Sequence, residues 1–256
     1  MYREAVEGTL SVMRACQETQ VRRLCVTSSV VAMTMKAHKP AVWDESHYSD
    51  PNWSGIGAYE KSKTLADQAS WDFYSRLPAD NRFEFSTVNP CMIFGPSLVN
   101  DLQSAKIVDL ILMGKFIKGL SPKMSLGICD VRDVAQAHLK CLELDAAQGK
   151  RFLIANESLW LREIADVLRK RYGQYGYPIV SSEECDLDSW KKAAAKAGGV
   201  AVKIVERWGH ISIYNNSRSR DILGIRYRSI DETLCDNVES MIKLGLIKDL
   251  RPQPKL

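Results

Sequence analysis

The chain has 256 residues, 45% hydrophobic and 26% charged, which is ordinary for a soluble globular protein with one large domain or a domain and a smaller lobe. Its formal net charge of +4 is small and gives no reason to expect nucleic acid or a membrane as a partner. The seven cysteines form no Cys-x-x-Cys pair, the four histidines lack ligand spacing and no apolar run reaches membrane-spanning length, so we expect a cytoplasmic protein with reduced thiols and no metal site.

Helices and strands alternate along the first two thirds of the chain. Apolar residues at helical spacing predict the helices, and short apolar runs closed by turn residues predict the strands. The predicted order is helix 5–16, strand 22–27, helix 58–75, strand 82–88, helix around 107–113, helix 130–144, strand 150–155 and helix 161–172. Such alternation is typical of a parallel α/β sheet. Beyond residue 172 short strands mix with helices near 188–197 and 230–244.

A tyrosine and a lysine lie one helical turn apart in the segment Tyr59-Glu-Lys-Ser-Lys63. Residues i and i+4 share a helix face, and a nearby ammonium favours the phenolate form of tyrosine. The spacing therefore predicts a lowered pKa for Tyr59 and a role as general acid. The alternative is a solvated lysine on a helix whose tyrosine packs at the rim, because this spacing often arises by chance.

Two further polar segments stand at predicted strand ends. Ser28 and Ser29 close the strand 22–27, and Asn89-Pro90 closes the strand 82–88. Ligands of doubly wound sheets bind at the carboxyl ends of the strands, so both segments are candidates for the site that contains Tyr59. Each could also be an ordinary turn between a strand and a helix.

Taken together, these segments resemble the extended short-chain dehydrogenase/reductase family, which belongs to the NAD-dependent epimerase/dehydratase superfamily. The nearest branch is similar to dihydroflavonol reductases, cinnamoyl-CoA reductases and related ketone or aldehyde reductases. The resemblance covers the whole chain. Its motifs are the helix from Ala5 to Cys16, Trp43-Asp-Glu-Ser46, the helix from Tyr59 to Trp71, Asp130 to His138 and Asn216 to Gly224.

The resemblance implies an incomplete Rossmann-type doubly wound parallel sheet with a smaller C-terminal α+β substrate lobe. Residues 1–94 and 129–156 would form the partial dinucleotide-binding domain, and residues 95–128 and 157–256 the substrate-binding lobe. Apolar residues at 107–113 and near Trp190 and Trp208 would line a substrate pocket, or else be plain core.

By the same resemblance, the chain is an NAD(P)-dependent oxidoreductase that reduces a ketone or aldehyde. Tyr59 would protonate the carbonyl oxygen, Lys63 would lower the pKa of Tyr59 and hold the nicotinamide ribose, and Ser29 would bind the carbonyl oxygen. The residues implied in cofactor binding are Thr27, Ser28, Tyr59, Lys63, Pro90 and Met92. The cofactor is NADP or NAD, with NADP favoured by the resemblance alone.

The sequence departs from the family in having no Gly-x-x-Gly-x-x-Gly loop. We therefore expect the chain alone to fold poorly and to bind a dinucleotide weakly, and we expect a partner chain or a missing N-terminal segment to complete the sheet. The departure also leaves open a non-catalytic subunit of a larger assembly. Within the enzyme class, a steroid dehydrogenase/isomerase or a sugar epimerase stays open, and the sequence does not name the substrate.

Overall fold

The computed structural model describes residues 2–99, 103–197, 202, 204–205 and 207–252. The chain divides into two compact units. The first unit consists of Met1–Cys91, Arg132–Ala155 and Ile213–Tyr227, and the second of Met92–Val131, Asn156–Ser212 and Arg228–Leu256.

The helices and strands follow the predicted alternation up to the middle of the chain. The helices are α1 (Tyr2–Glu18), α2 (Val31–Thr34), α3 (Ala58–Arg76), α4 (Gln103–Leu112), α5 (Val131–Glu143), α6 (Leu161–Tyr172), α7 (Leu187–Ala197), α8 (Ser217–Asp221) and α9 (Ile230–Lys243). The strands are β1 (Arg23–Thr27), β2 (Glu84–Pro90), β3 (Met92–Phe94), β4 (Leu120–Ser121), β5 (Ser125–Asp130), β6 (Lys150–Ile154), β7 (Glu157–Trp160) and β8 (Ser181–Glu184).

The first unit contains a parallel sheet in the order β1-β2-β6. Thr27 is paired with Val88, and Pro90 with Ile154, so the carboxyl ends of the three strands meet at one edge. β1 and β2 pair in parallel along their whole shared length, from Arg23 with Glu84 to Thr27 with Val88. The prediction that a further segment completes this sheet beside β1 stays a prediction.

An aromatic core lies beneath this sheet. Phe85 of β2 is fully buried and stands 4.7 Å from the ring of Trp71 on α3. Met13 of α1 and Phe83 are buried in the same cluster. The apolar faces of α1 and α3 thus cover one side of the sheet, which fixes α3 and its Tyr59 to the strands.

The second unit contains strands that the sequence analysis did not predict. Its main sheet has the order β3-β5-β7, with β3 parallel and β7 antiparallel to β5. The strands have 3, 6 and 4 residues, too few for alternation to stand out in the sequence. Ile128 of β5 and Ile111 of α4 are fully buried in its core.

Two observations bear on residues expected in the smaller lobe. Trp190 and Ile111 are almost completely buried in the core of the second unit, which favours core packing over a pocket lining. The segment 213–227, assigned above to the smaller lobe, clusters with the first unit, and Trp43 forms a parallel bridge with Tyr214 there. The division into cofactor and substrate domains stays a prediction.

None of the helices in the described part of the chain is both long and apolar enough to cross a membrane.

Candidate active site

The end of β1 presents three hydroxyl side chains in a row. Thr27 is exposed, and its Oγ1 lies 2.7 Å from Nε2 of His138 on α5. The Ser28 side chain is buried and donates a hydrogen bond to the carboxylate of Asp67. Ser29 is also buried, and its carbonyl oxygen accepts from Nδ2 of Asn89 at 3.2 Å. The strand end is therefore held in place by side chains from α3, α5 and β2.

Tyr59 and Ser29 meet at this strand end. Tyr59 lies in the first turn of α3 and is 52% exposed, and the Ser29 side chain is close enough to lower the pKa of its hydroxyl. Lys63 follows one helical turn later and is half-buried. The structure thus brings Ser29 near Tyr59 and places Lys63 on the same helix face, within the first unit.

The pKa of the Tyr59 hydroxyl is raised, whereas the sequence predicts a lowered pKa. Desolvation by partial burial raises the pKa above its ordinary value, the hydrogen bond from Ser29 opposes that rise, and the nearby charge of Glu60 adds to it. The prediction of a lowered pKa was wrong for the chain by itself, because the penalty of burying a phenolate outweighs the favourable contacts. Tyr59 is accordingly protonated at neutral pH and can donate a proton.

Pro90 and Met92 occupy different positions in the fold. Pro90 is buried at the carboxyl end of β2, where its carbonyl oxygen accepts from the backbone N–H of Val30 at 3.0 Å. This contact brings Pro90 to the same sheet edge as Ser29. Met92 begins β3 and belongs to the second unit.

A buried ion pair that the sequence analysis missed lies behind the strand ends. Asp67 of α3 and Arg151 of β6 pair at 3.0 Å, with only 1% and 4% of their side chains exposed. Two signals were available. Asp67 follows Lys63 by four residues on the same helix face, and Arg151 interrupts an apolar strand, where a buried charge requires a partner.

The acidic loop that contains Trp43 and Glu45 lies against the same strand. Glu45 is buried, accepts from the backbone N–H of Leu153 at 3.0 Å and stands 3.6 Å from Nε of Arg218. Burial raises the pKa of Glu45, while the Leu153 N–H and the charge of Arg218 oppose that rise. The loop is thus fixed to β6 by side-chain contacts.

The chain is similar to several known proteins. The model of the 3-beta hydroxysteroid dehydrogenase/isomerase family matches residues 1–179. The chain is 28% identical to a putative NADPH-dependent methylglyoxal reductase of Candida albicans, over 93% of this chain and 69% of that protein. It is also 28% identical to cinnamoyl-CoA reductase 2 of Medicago truncatula, over 96% of this chain and 66% of that protein.

Solved structures show the same fold. Vestitone reductase from alfalfa (Medicago sativa) matches with a TM-score of 0.74 and 21% identity, over 96% of this chain and 73% of that one. The expected Rossmann-type class of α/β fold is therefore confirmed.

Proposed function

Since the chain belongs to the 3-beta hydroxysteroid dehydrogenase/isomerase family, we propose that it is an oxidoreductase that reduces a ketone or aldehyde to an alcohol with NADPH. The similar proteins of Candida albicans and Medicago truncatula are named as reductases, and the former as NADPH-dependent. Their names support an oxidoreductase with NADPH as its cofactor. The observation that carries the proposal is the proximity of the Tyr59 hydroxyl to the Ser29 side chain, which is close enough to lower the pKa of Tyr59.

The residues present fit the nicotinamide-ribose half of this cofactor. Lys63 is half-buried on the helix face of Tyr59, so its ammonium is suited to bind ribose hydroxyls. Thr27, Ser28 and Pro90 stand at the strand ends where such cofactors bind. Bound NADPH would supply the hydride to the carbonyl carbon.

The chain itself supplies the proton. Tyr59, protonated at neutral pH, donates its hydroxyl proton to the carbonyl oxygen as that oxygen gains negative charge. The Ser29 hydroxyl, already aligned with Tyr59, donates a hydrogen bond to the same oxygen. After transfer, the ammonium of Lys63 stabilises the Tyr59 phenolate until water protonates it again.

The same residues could run an oxidation, as the name of the matching family suggests. A 3-beta hydroxysteroid dehydrogenase would use Tyr59 as a base, which requires the phenolate form. The raised pKa of the Tyr59 hydroxyl keeps it protonated at neutral pH, which is the form that a reduction requires.

The test is a comparison of both directions on purified protein in which an N-terminal segment or a partner chain completes the sheet. Methylglyoxal and an aromatic aldehyde are offered with NADPH, and a 3-beta hydroxysteroid is offered with NADP⁺, while nicotinamide absorbance is followed and the products are identified. We expect NADPH consumption with alcohol formed in equal amount. Steroid oxidation without carbonyl reduction would overturn the proposed direction, and the absence of both reactions would support a non-catalytic role.

A further inference from the structure

The buried ion pair between Asp67 and Arg151 lies directly behind the hydroxyl groups of the site. We propose that this pair is a positioning device, which holds Ser29 in line with Tyr59 and so acts on the chemical step rather than on the binding of substrate. The inference rests on the proposed reductase function, and it concerns two residues whose side chains are almost completely buried.

Asp67 fixes the backbone of Ser29 from two sides. Its carboxylate accepts from the hydroxyl of Ser28, the residue immediately before Ser29. It also accepts from Nδ2 of Asn89 at 3.3 Å, and the same amide donates to the carbonyl oxygen of Ser29 at 3.2 Å. Because Asp67 lies on the helix face of Tyr59, two turns later, one carboxylate links the catalytic helix to the ends of β1 and β2.

Arg151 extends this link to the third strand and the acidic loop. One guanidinium nitrogen, Nη2, binds the carboxylate of Asp67 at 3.0 Å. The other, Nη1, donates to the carbonyl oxygens of His47 at 2.8 Å and Glu45 at 3.3 Å. All the segments that contain the candidate catalytic residues of the first unit therefore converge on one buried ion pair.

Stability alone does not account for such a pair. Burying two charges costs several kcal/mol of desolvation, and an apolar pair of similar volume is often as stable or more stable. Part of the desolvation cost is uncompensated in this protein, because Nε of Arg151 is buried without a hydrogen-bond partner among the described residues. An apolar pair would fill the same space, but it would offer no acceptor to Ser28 and Asn89.

The proton transfer depends on the position of the Ser29 hydroxyl, which these contacts hold in place. The carbonyl oxygen must lie within reach of both the Tyr59 and the Ser29 hydroxyls when the proton moves. A displacement of about 1 Å in such a geometry costs about 100-fold in rate. Loss of the acceptor at residue 67 should therefore lower kcat while KM changes little.

The experiment uses the double variant Asp67→Leu/Arg151→Met, which removes both charges together and keeps the volume. It is compared with the wild type and with Asp72→Asn, an exposed carboxylate on the same helix that contacts none of the site residues. Two quantities are measured in each: kcat and KM for methylglyoxal with NADPH, and the titration of the Tyr59 hydroxyl by NMR of carbon-13-labelled tyrosine. Tyr59→Phe identifies the Tyr59 signal, and thermal unfolding shows that each variant is folded.

We expect a folded double variant whose kcat falls about 100-fold at nearly constant KM. The pKa of Tyr59 should rise further in this variant, because the Ser29 hydrogen bond that lowers it is weakened. A stable double variant with wild-type kcat and an unchanged Tyr59 titration would overturn the proposal and leave the pair a purely structural role.

The titration also separates this inference from the proposed function, since it needs no turnover. If the wild type reduces no carbonyl, the proposed function fails, yet a shifted Tyr59 titration still supports the positioning role and an unchanged one still rejects it. If the double variant does not fold, Asn89→Leu, which removes the amide that bridges Asp67 and Ser29, is measured with the same two readouts and the same criteria.

Discussion

The single substitution Arg151→Met tests how much the buried ion pair with Asp67 affects the free energy of unfolding. Methionine fills most of the space of the arginine stem, so the cavity that it leaves is small. The substitution leaves the carboxylate of Asp67 buried without its cation, which costs about 3–5 kcal/mol. Loss of the hydrogen bonds to the His47 and Glu45 carbonyls adds about 1 kcal/mol.

The expected total is a loss of about 4–6 kcal/mol in the free energy of unfolding of the first unit. For a chain of this size each kcal/mol shifts Tm by about 2–4 °C, so Tm should fall by about 10–20 °C. Calorimetry and urea unfolding at neutral pH measure the change. Arg14→Met is the control, because the ion pair of Arg14 with Glu7 is 3.6 Å long and half-exposed and should contribute less than about 1 kcal/mol. Equal, small losses in both variants would refute the reasoning.

Three further outcomes are expected. Ser29→Ala should lower kcat about 100-fold, because one of the two groups that bind the carbonyl oxygen is lost, and an unchanged kcat would contradict the role of Ser29. Phe85→Ala should cost about 3–5 kcal/mol in urea unfolding, since Phe85 is fully buried against Trp71, whereas a loss near zero would mean that the core is loosely packed. Because the pKa of Glu45 is raised in the folded state, its contribution to stability is present below the unfolded pKa and is lost as pH rises through the folded pKa. The stability of the wild type should therefore fall relative to Glu45→Gln as pH rises from about 4, and a pH-independent difference would count against this.

Many of the predictions from the sequence depend on patterns of a few neighbouring residues. The helix of Tyr59 and Lys63 and the strand that ends at Ser29 were predictable, because their signals lie within a few neighbouring residues. Their convergence followed from the rule that parallel strands end at a common edge. The proximity of Ser29 to Tyr59 is consistent with that rule.

Features that depend on distant contacts were not predictable in the same way. Asp67 and Arg151 are separated by 84 positions, and neither shows its partner in the sequence. The direction of the Tyr59 pKa shift depends on how much of the phenol the fold buries, which a helical spacing does not reveal. The short strands β3 and β7 gain their stability from β5 and not from their own three and four residues.

The most direct test of the central claim is the turnover of Tyr59→Phe with NADPH and the carbonyl substrate that the wild type reduces. This substitution removes only the transferable proton, so kcat should fall at least about 100-fold while the affinity for NADPH is retained. Tyr2→Phe, which removes another partly exposed hydroxyl in the same unit, should keep wild-type turnover. If Tyr59→Phe turns over as fast as the wild type, Tyr59 is not the proton donor and the proposed mechanism is wrong.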